Sequence, residues 1–170
     1  MSGFPFSIAR ASSLKLPHLL CIVVLIAVAD QVVKGTVVRS LYLHESIPVI
    51  PGIFSITRIH NSGIAFGLFP GLPDVFMVVT LISMLVVLFF YLTATPRGAL
   101  LMAGCGLILG GAMGNLIDRF RLRYVVDFID FNFWPAFNIA DSAVTIGVAL
   151  LMLSFLRAEK GTMGNASDTD

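Results

Sequence analysis

The stretch that decides the fold is Gly104–Arg119, "GCGLILGGAMGNLIDR", an apolar run with glycines at helical spacing. Gly106, Gly110 and Gly114 follow one another at intervals of four residues, and Asp118 continues the series. Residues four apart share one face of a helix, and glycines on such a face let a second helix approach closely. The stretch therefore predicts a tightly packed membrane helix that directs Asp118 toward its neighbours.

The composition around this stretch indicates an integral membrane protein. Of the 170 residues 57% are hydrophobic and 12% are charged, whereas soluble domains carry about a quarter charged residues. The net charge is +1 and the basic residues form no run, which argues against nucleic acid as a partner. The two cysteines and three scattered histidines show no metal-ligand spacing, so we expect no metal and no cofactor.

Four apolar stretches are long enough to cross a membrane, which takes about 20 residues. They cover approximately residues 17–38, 73–94, 99–117 and 136–156. The loops 39–72 and 118–135 contain alternating patterns such as "FSIT", which indicate short strands. We predict an all-α, four-transmembrane-helix bundle with a small β-rich element on the active face. It forms one domain over residues 1–160, followed by a disordered tail over 161–170.

Polar residues at the ends of three spans converge on one face of this bundle. In an up-and-down arrangement, the carboxyl ends of spans one and three lie on the same side as the amino end of span four. These ends carry Asp30 and Lys34, Asn115 and Asp118, and Asn138 and Asp141. Ionisable groups within the ends of membrane spans tend to face the bundle interior and to mark function.

Each of these groups also has a structural interpretation. Asp30 and Lys34 are i and i+4 and favour an ion pair, and Asp118 has the same option with Arg119. Asn138 as N-cap with Asp141 three residues later suits a helix start. Pattern alone also leaves open a cleavable signal peptide that ends at "AVAD". Five basic residues on one side of the membrane against six on the other do not orient the chain.

Paired carboxylates are the remaining source of chemistry on this face, because no credible nucleophilic Ser, Cys or metal site is present. Two adjacent carboxylates share a proton, and one activates a water as the general base. The acids available are Asp30, Asp118, Asp127, Asp130 and Asp141. The residues alone do not choose between Asp127 and Asp130. A proton or ion pathway and a non-catalytic scaffold are the alternatives.

Taken together, the motifs resemble the lipoprotein signal peptidase family, also called signal peptidase II. The stretches that carry the resemblance are "DQVVK" (30–34), "HNSGIAFGLF" (60–69), "GGAMGNLIDR" (110–119), "VVDFID" (125–130) and "FNIADSAVTIG" (137–147). The resemblance implies an aspartic peptidase whose catalytic pair is Asp127 and Asp141. It implies that the supporting residues are Asp30, Lys34, Asn61, Gly63, Asn115, Asp118, Arg119, Asn138 and Ala140. Ile64 departs from the family, which usually has a small residue there.

The resemblance also implies a substrate and a location. The substrate is a diacylglyceryl-modified bacterial prolipoprotein, cut just before its lipidated cysteine to release the signal peptide. The first span is then retained in the bacterial cytoplasmic (inner) membrane, with both termini cytoplasmic and the active face outward. We expect a monomer surrounded by membrane lipid.

Overall fold

The computed structural model describes residues 15–63, 73–94 and 98–167. Its four helices are α1 (Lys15–Ser40), α2 (Pro73–Thr93), α3 (Ala99–Leu122) and α4 (Ile139–Ser167). Each contains a stretch of between 19 and 25 residues that is long and apolar enough to cross a membrane. The four predicted spans are therefore confirmed.

Two helices are longer than the sequence predicts. The third span was expected to end at residue 117, but α3 continues to Leu122 and includes Asp118 and Arg119. A helix satisfies its own backbone, so it can continue past the apolar region while polar side chains find partners. Residues 161–167, predicted as a disordered tail, are helical because α4 continues to Ser167. Each added residue there gains one more backbone hydrogen bond on a helix that already exists.

The two long loops form one antiparallel sheet, as their alternating patterns predict. Its strands are β1 (Ser46–Ile50), β2 (Phe54–Asn61), β3 (Val125–Phe131) and β4 (Trp134–Phe137), in the order β1-β2-β3-β4. Because β3 follows α3 closely and β4 leads into α4, the sheet lies at the ends of these helices. The β-rich element therefore sits on the face where the polar span ends converge.

The glycines of α3 allow two helices to pack closely against two of its faces. A Cβ at Gly110 would lie 2.8 Å from Cβ of Ile26 in α1, and one at Gly114 would lie 2.6 Å from Oδ2 of Asp30. On an adjacent face, a Cβ at Gly111 would overlap the carbonyl oxygen of Ala140 in α4. A side-chain carbon cannot approach another atom so closely, so α1 and α4 can pack against α3 only because these positions are glycine.

The second helix is packed mainly through its C-terminal half. Tyr91 is buried with Leu101, Cys105 and Leu109 of α3 and with Leu19 of α1. Nearer its N-terminus Phe76 is buried as well, while Val78 and Val79 are exposed. On this part of α2, Val79, Thr80 and Ser83 line a cleft that α2 shares with α3, α4 and the sheet.

We predict that Gly111→Ala destabilises the protein by about 1–3 kcal/mol, the usual range for overpacking a dense interior. The added methyl group would press on backbone of α4, which cannot rotate away as a side chain can. Thermal unfolding in detergent measures the effect. Gly98→Ala is the matched control, since no described atom lies within 4 Å of its Cβ position. Equal unfolding temperatures for the two variants would contradict the close contact.

Candidate active site

A buried ionic cluster joins α1 to α3 beneath the sheet. Lys34 Nζ lies 2.8 Å from Asp30 Oδ2 and 2.9 Å from Asp118 Oδ2. The predicted pair of Asp30 and Lys34 is thus present, whereas Asp118 pairs with Lys34 and not with its neighbour Arg119. All three side chains are buried. Charges removed from water must be paired in this way, since an isolated ion in an apolar interior is very costly.

Gln31 belongs to this cluster, although sequence reasoning did not single it out. Its Nε2 donates to Asp118 Oδ1 at 2.8 Å and to the Gly114 carbonyl oxygen at 3.1 Å. The spacing rule for helices pairs residues three or four apart, and Gln31 directly follows Asp30. The available signal was the presence of an amide side chain inside an apolar span, where it needs a partner.

The same cluster holds the elements that carry the candidate acids. Asp118 Oδ2 accepts a hydrogen bond from the Val126 N–H in β3 at 3.1 Å. Asp30 Oδ1 accepts one from the Ala140 N–H in the first turn of α4 at 3.0 Å. Ionised acceptors make such bonds stronger than neutral ones. The ion pairs therefore fix the start of β3 and the start of α4 relative to each other.

Asn115 connects Lys34 to Asp141. Its Oδ1 accepts from Lys34 Nζ at 2.9 Å, and its Nδ2 donates to Asp141 Oδ1 at 2.8 Å. An ammonium group only donates hydrogen bonds, so Lys34 determines which end of the Asn115 amide faces it. The amide nitrogen is consequently presented to the carboxylate of Asp141.

Asn138 caps α4 and also contacts the second candidate acid. The Asp141 N–H donates to Asn138 Oδ1 at 2.9 Å, and the Asn138 N–H donates to Asp141 Oδ2 at 3.2 Å. These reciprocal bonds form a capping box, as the sequence predicts for this helix start. Asn138 Nδ2 donates to Asp127 Oδ1 at 2.7 Å. Asn138 therefore contacts both carboxylates, Asp141 through its backbone N–H and Asp127 through its side-chain amide.

Asp127 is buried in β3 and has a strongly perturbed acidity. Asn61 Nδ2 donates to its Oδ2 at 2.9 Å, while Asn61 Oδ1 accepts from the Gly63 N–H at 3.0 Å. Burial and then the negative charge of Asp141 raise the pKa of Asp127 to about 7, against the opposing hydrogen bonds from Asn61 and Asn138. The group therefore keeps its proton at pH values at which an ordinary aspartate is already ionised.

Asp127 and Asp141 line the same cleft, and Asp130 does not. The cleft has a volume of about 750 Å³ and is bounded by α2, α3, α4 and β4. Asp130 accepts a hydrogen bond from Thr57 Oγ1 on β2 at 2.7 Å and is not part of its lining. The geometry thus separates two acids that the sequence pattern treats alike.

Three of the other predicted site residues line this cleft, namely Asn61, Asn115 and Arg119. The remaining ones are buried and do not line it: Asp30, Lys34, Gly63, Asp118, Asn138 and Ala140. Arg119 lines the cleft, and among the described residues it forms no ion pair with either acid. Ile64 lies outside the described residues. Within the described ranges, no three His, Cys, Asp or Glu side chains are grouped to hold a metal.

Comparison with known proteins gives a consistent family match. The family model described as "Signal peptidase (SPase) II" matches residues 22–157. A lipoprotein signal peptidase of Halothermothrix orenii is 44% identical over 139 residues, which cover 82% of this chain and 95% of that protein. One from Desulforapulum autotrophicum is 48% identical over 143 residues, covering 78% and 88%.

Solved structures agree with the fold. A bacterial membrane enzyme determined at 2.3 Å by the in meso method superposes with a TM-score of 0.79 at 33% sequence identity. That match covers 85% of this chain and 91% of the other. A second bacterial membrane enzyme, determined at 1.9 Å, gives a TM-score of 0.75 at 35% identity.

We predict that Lys34→Met destabilises the fold by about 3–5 kcal/mol, because it leaves buried carboxylates without their cation. The matched control is Arg123→Met, which removes the exposed ion pair between Arg123 and Asp74. Exposed pairs contribute only about 0–1 kcal/mol. Thermal unfolding in detergent compares the two, and similar losses in both variants would show that the buried cluster does not stabilise the bundle.

Proposed function

Because the chain belongs to the signal peptidase II family, we propose that it is an aspartic endopeptidase that removes signal peptides from diacylglyceryl-modified bacterial prolipoproteins. Cleavage falls just before the lipidated cysteine. The relatives reported above are named lipoprotein signal peptidases, which supports the substrate class. The observation that carries the aspartic mechanism is the pair of carboxylates, Asp127 and Asp141, facing one cleft and bridged by Asn138.

The two acids have different roles in proton transfer. Asp141 accepts hydrogen bonds from Asn115 Nδ2 and from the Asn138 N–H at the start of a helix, surroundings that favour a negative charge. Asp127, whose pKa is about 7, holds the proton near neutrality. Asp141 is therefore the proposed general base, and Asp127 the proposed acid.

The reaction follows from this division. Asp141 removes a proton from a water molecule while the water oxygen attacks the scissile carbonyl carbon, and Asp127 protonates the carbonyl oxygen. When the carbon–nitrogen bond breaks, the proton on Asp141 passes to the departing amine and Asp127 recovers its own. The pair ends in its starting state. Arg119, a cation on the cleft wall, is proposed to bind polar groups of the substrate backbone.

The membrane arrangement also belongs to the proposal. Asp30 and Lys34 of α1 are part of the buried cluster, which supports a first span that is retained and not cleaved. We propose that both termini are cytoplasmic, so that the sheet and the cleft face outward. The cleft also reaches side chains within the spans, among them Ser83 and Thr145. It can therefore receive a substrate whose lipid stays in the bilayer.

Asp127→Asn and Asp141→Asn are each expected to lower cleavage by roughly a thousandfold or more, since neither member of such a unit works alone. The measurement is cleavage of a purified lipidated precursor by protein in detergent, with protein level and unfolding temperature as fold checks. Asp130→Asn is the matched control, because this acid bonds Thr57 away from the cleft. Full activity in either dyad variant would disprove the mechanism.

The dyad also sets the pH dependence. Activity requires the proton on Asp127, so it should fall as the pH rises through about 7. Asn61→Ala removes a donor that favours the charged form of Asp127. The alkaline limb of the pH–activity profile should then move to higher pH by about one unit.

Profiles normalised to each variant's own maximum measure this shift. Asn132→Ala, an amide lost far from the dyad, should leave the limb in place. A downward movement in Asn61→Ala would contradict the assignment of the proton to Asp127.

A further inference from the structure

The two hairpins of the sheet end in loops that expose large apolar side chains. Ile50 is 49% exposed and Ile53 51%, next to the turn between β1 and β2. Phe133 is 76% exposed and Trp134 56%, at the turn between β3 and β4. We call these four residues the apolar tip. Contiguous exposed apolar surface of this kind marks an interaction site more often than chance.

The apolar tip is one connected unit. Asn132 Nδ2 donates to the Gly52 carbonyl oxygen at 2.7 Å, and the Asn132 N–H donates to the Ile53 carbonyl oxygen at 3.3 Å. Behind these bonds, Phe131 packs against Phe54 with ring centroids 5.0 Å apart and against Phe133 at 5.7 Å. Both turns therefore present their apolar residues together.

The chain segments on either side of the apolar tip contain no charge. Residues 46–57 and 131–140 include no Asp, Glu, Lys, Arg or His. The flanking ionisable residues are Glu45, Arg58, Asp130 and Asp141. Entry of the tip into an apolar phase would consequently dehydrate no ion, which is the main obstacle to such a transfer.

The apolar tip lies close to the membrane-crossing stretches. The membrane-crossing stretch of α4 begins at Ile139, two residues after β4 ends, and that of α3 ends at Leu122, shortly before β3. The hairpin that carries Phe133 and Trp134 is thus attached to membrane-crossing stretches at both ends, and Trp134 lines the cleft together with Val79 and Thr145 of such stretches. Tryptophan is enriched at that level, where its ring meets the acyl chains and its N–H meets the headgroups.

We propose that the apolar tip inserts into the interfacial region of the leaflet on the active face and anchors the sheet to the bilayer. Its partner is the lipid surface itself. Because Trp134 also belongs to the lining of the cleft, the anchor holds the mouth of the cleft at the boundary between lipid and water. The anchor is independent of the peptidase reaction and would exist in an inactive dyad variant.

Trp134 is the only tryptophan of the chain, so with a tryptophan-free scaffold protein its fluorescence reports on the tip and on the cleft mouth beside it. The full-length protein is reconstituted at one copy per nanodisc, in phosphatidylcholine brominated either near the headgroups or near the bilayer centre. We expect strong quenching by the shallow bromines, weaker quenching by the deep ones, and little quenching by aqueous acrylamide. Emission quenched by acrylamide but not by brominated lipid would overturn the proposal. If the partner of the tip were a second copy of the chain and not lipid, the tip would be exposed to water in single-copy discs and would give that same result.

Variants separate the tip from the cleft. Phe133→Asp places a charge on the tip and should lose most of the lipid quenching while gaining quenching by acrylamide. Tyr42→Asp is the matched control, since Tyr42 is 85% exposed but lies at the other end of the β1–β2 hairpin. It should behave as the unmodified protein does.

Unfolding temperatures identify variants that fail to fold, and Ile53→Asp repeats the test at the second turn. Lipid quenching that persists in Phe133→Asp and Ile53→Asp would place the lipid in the cleft and disprove insertion of the tip.

Discussion

Lys34, held between the carboxylates of Asp30 and Asp118, is the contact on which the arrangement of this protein depends. One cation does not balance two buried carboxylates, so hydrogen bonds must stabilise the negative charge that remains. Asp30 accepts a backbone hydrogen bond from Ala140 with its other oxygen, Oδ1, and Asp118 accepts one from Val126 with the same Oδ2 that contacts Lys34. The need to stabilise these carboxylates thereby holds the starts of β3 and α4 at one cluster.

This cluster stands one layer behind the proposed dyad. Lys34 orients Asn115, and Asn115 donates to Asp141. Asn138 continues the chain of contacts from Asp141 to Asp127. Amide side chains suit this role because each offers a donor and an acceptor at fixed positions, so every bond determines the direction of the next. The two acids are thus held by groups that do not themselves exchange protons.

The cap of α4 and the proposed chemistry use the same atoms. Asp141 closes the capping box with Asn138, and its other oxygen faces Asn115. A structural explanation of Asp141 and a catalytic one are therefore compatible. The helix start that needs an acid for its own stability also places that acid at the level where the membrane ends.

The sequence by itself determined the membrane class, the four spans, the strands in both loops and the face on which the polar residues gather. Hydropathy, glycine spacing and strand alternation are local properties, so they can be read from neighbouring residues. The lengths of α3 and α4 were underestimated, because helices continue wherever polar side chains find partners outside the apolar run. Asp30 and Lys34 were paired correctly because they lie one helical turn apart.

Only the tertiary structure decided which groups meet across the fold. Asp118 pairs with Lys34 from 84 residues away in the sequence, Gln31 joins them, and Asn138 spans Asp127 and Asp141. It also separated Asp127 from Asp130, which are three residues apart on one strand yet have different neighbours. Local spacing carries no information about a partner on another element. That information arises when close packing on the glycines of α3 sets the positions of α1 and α4.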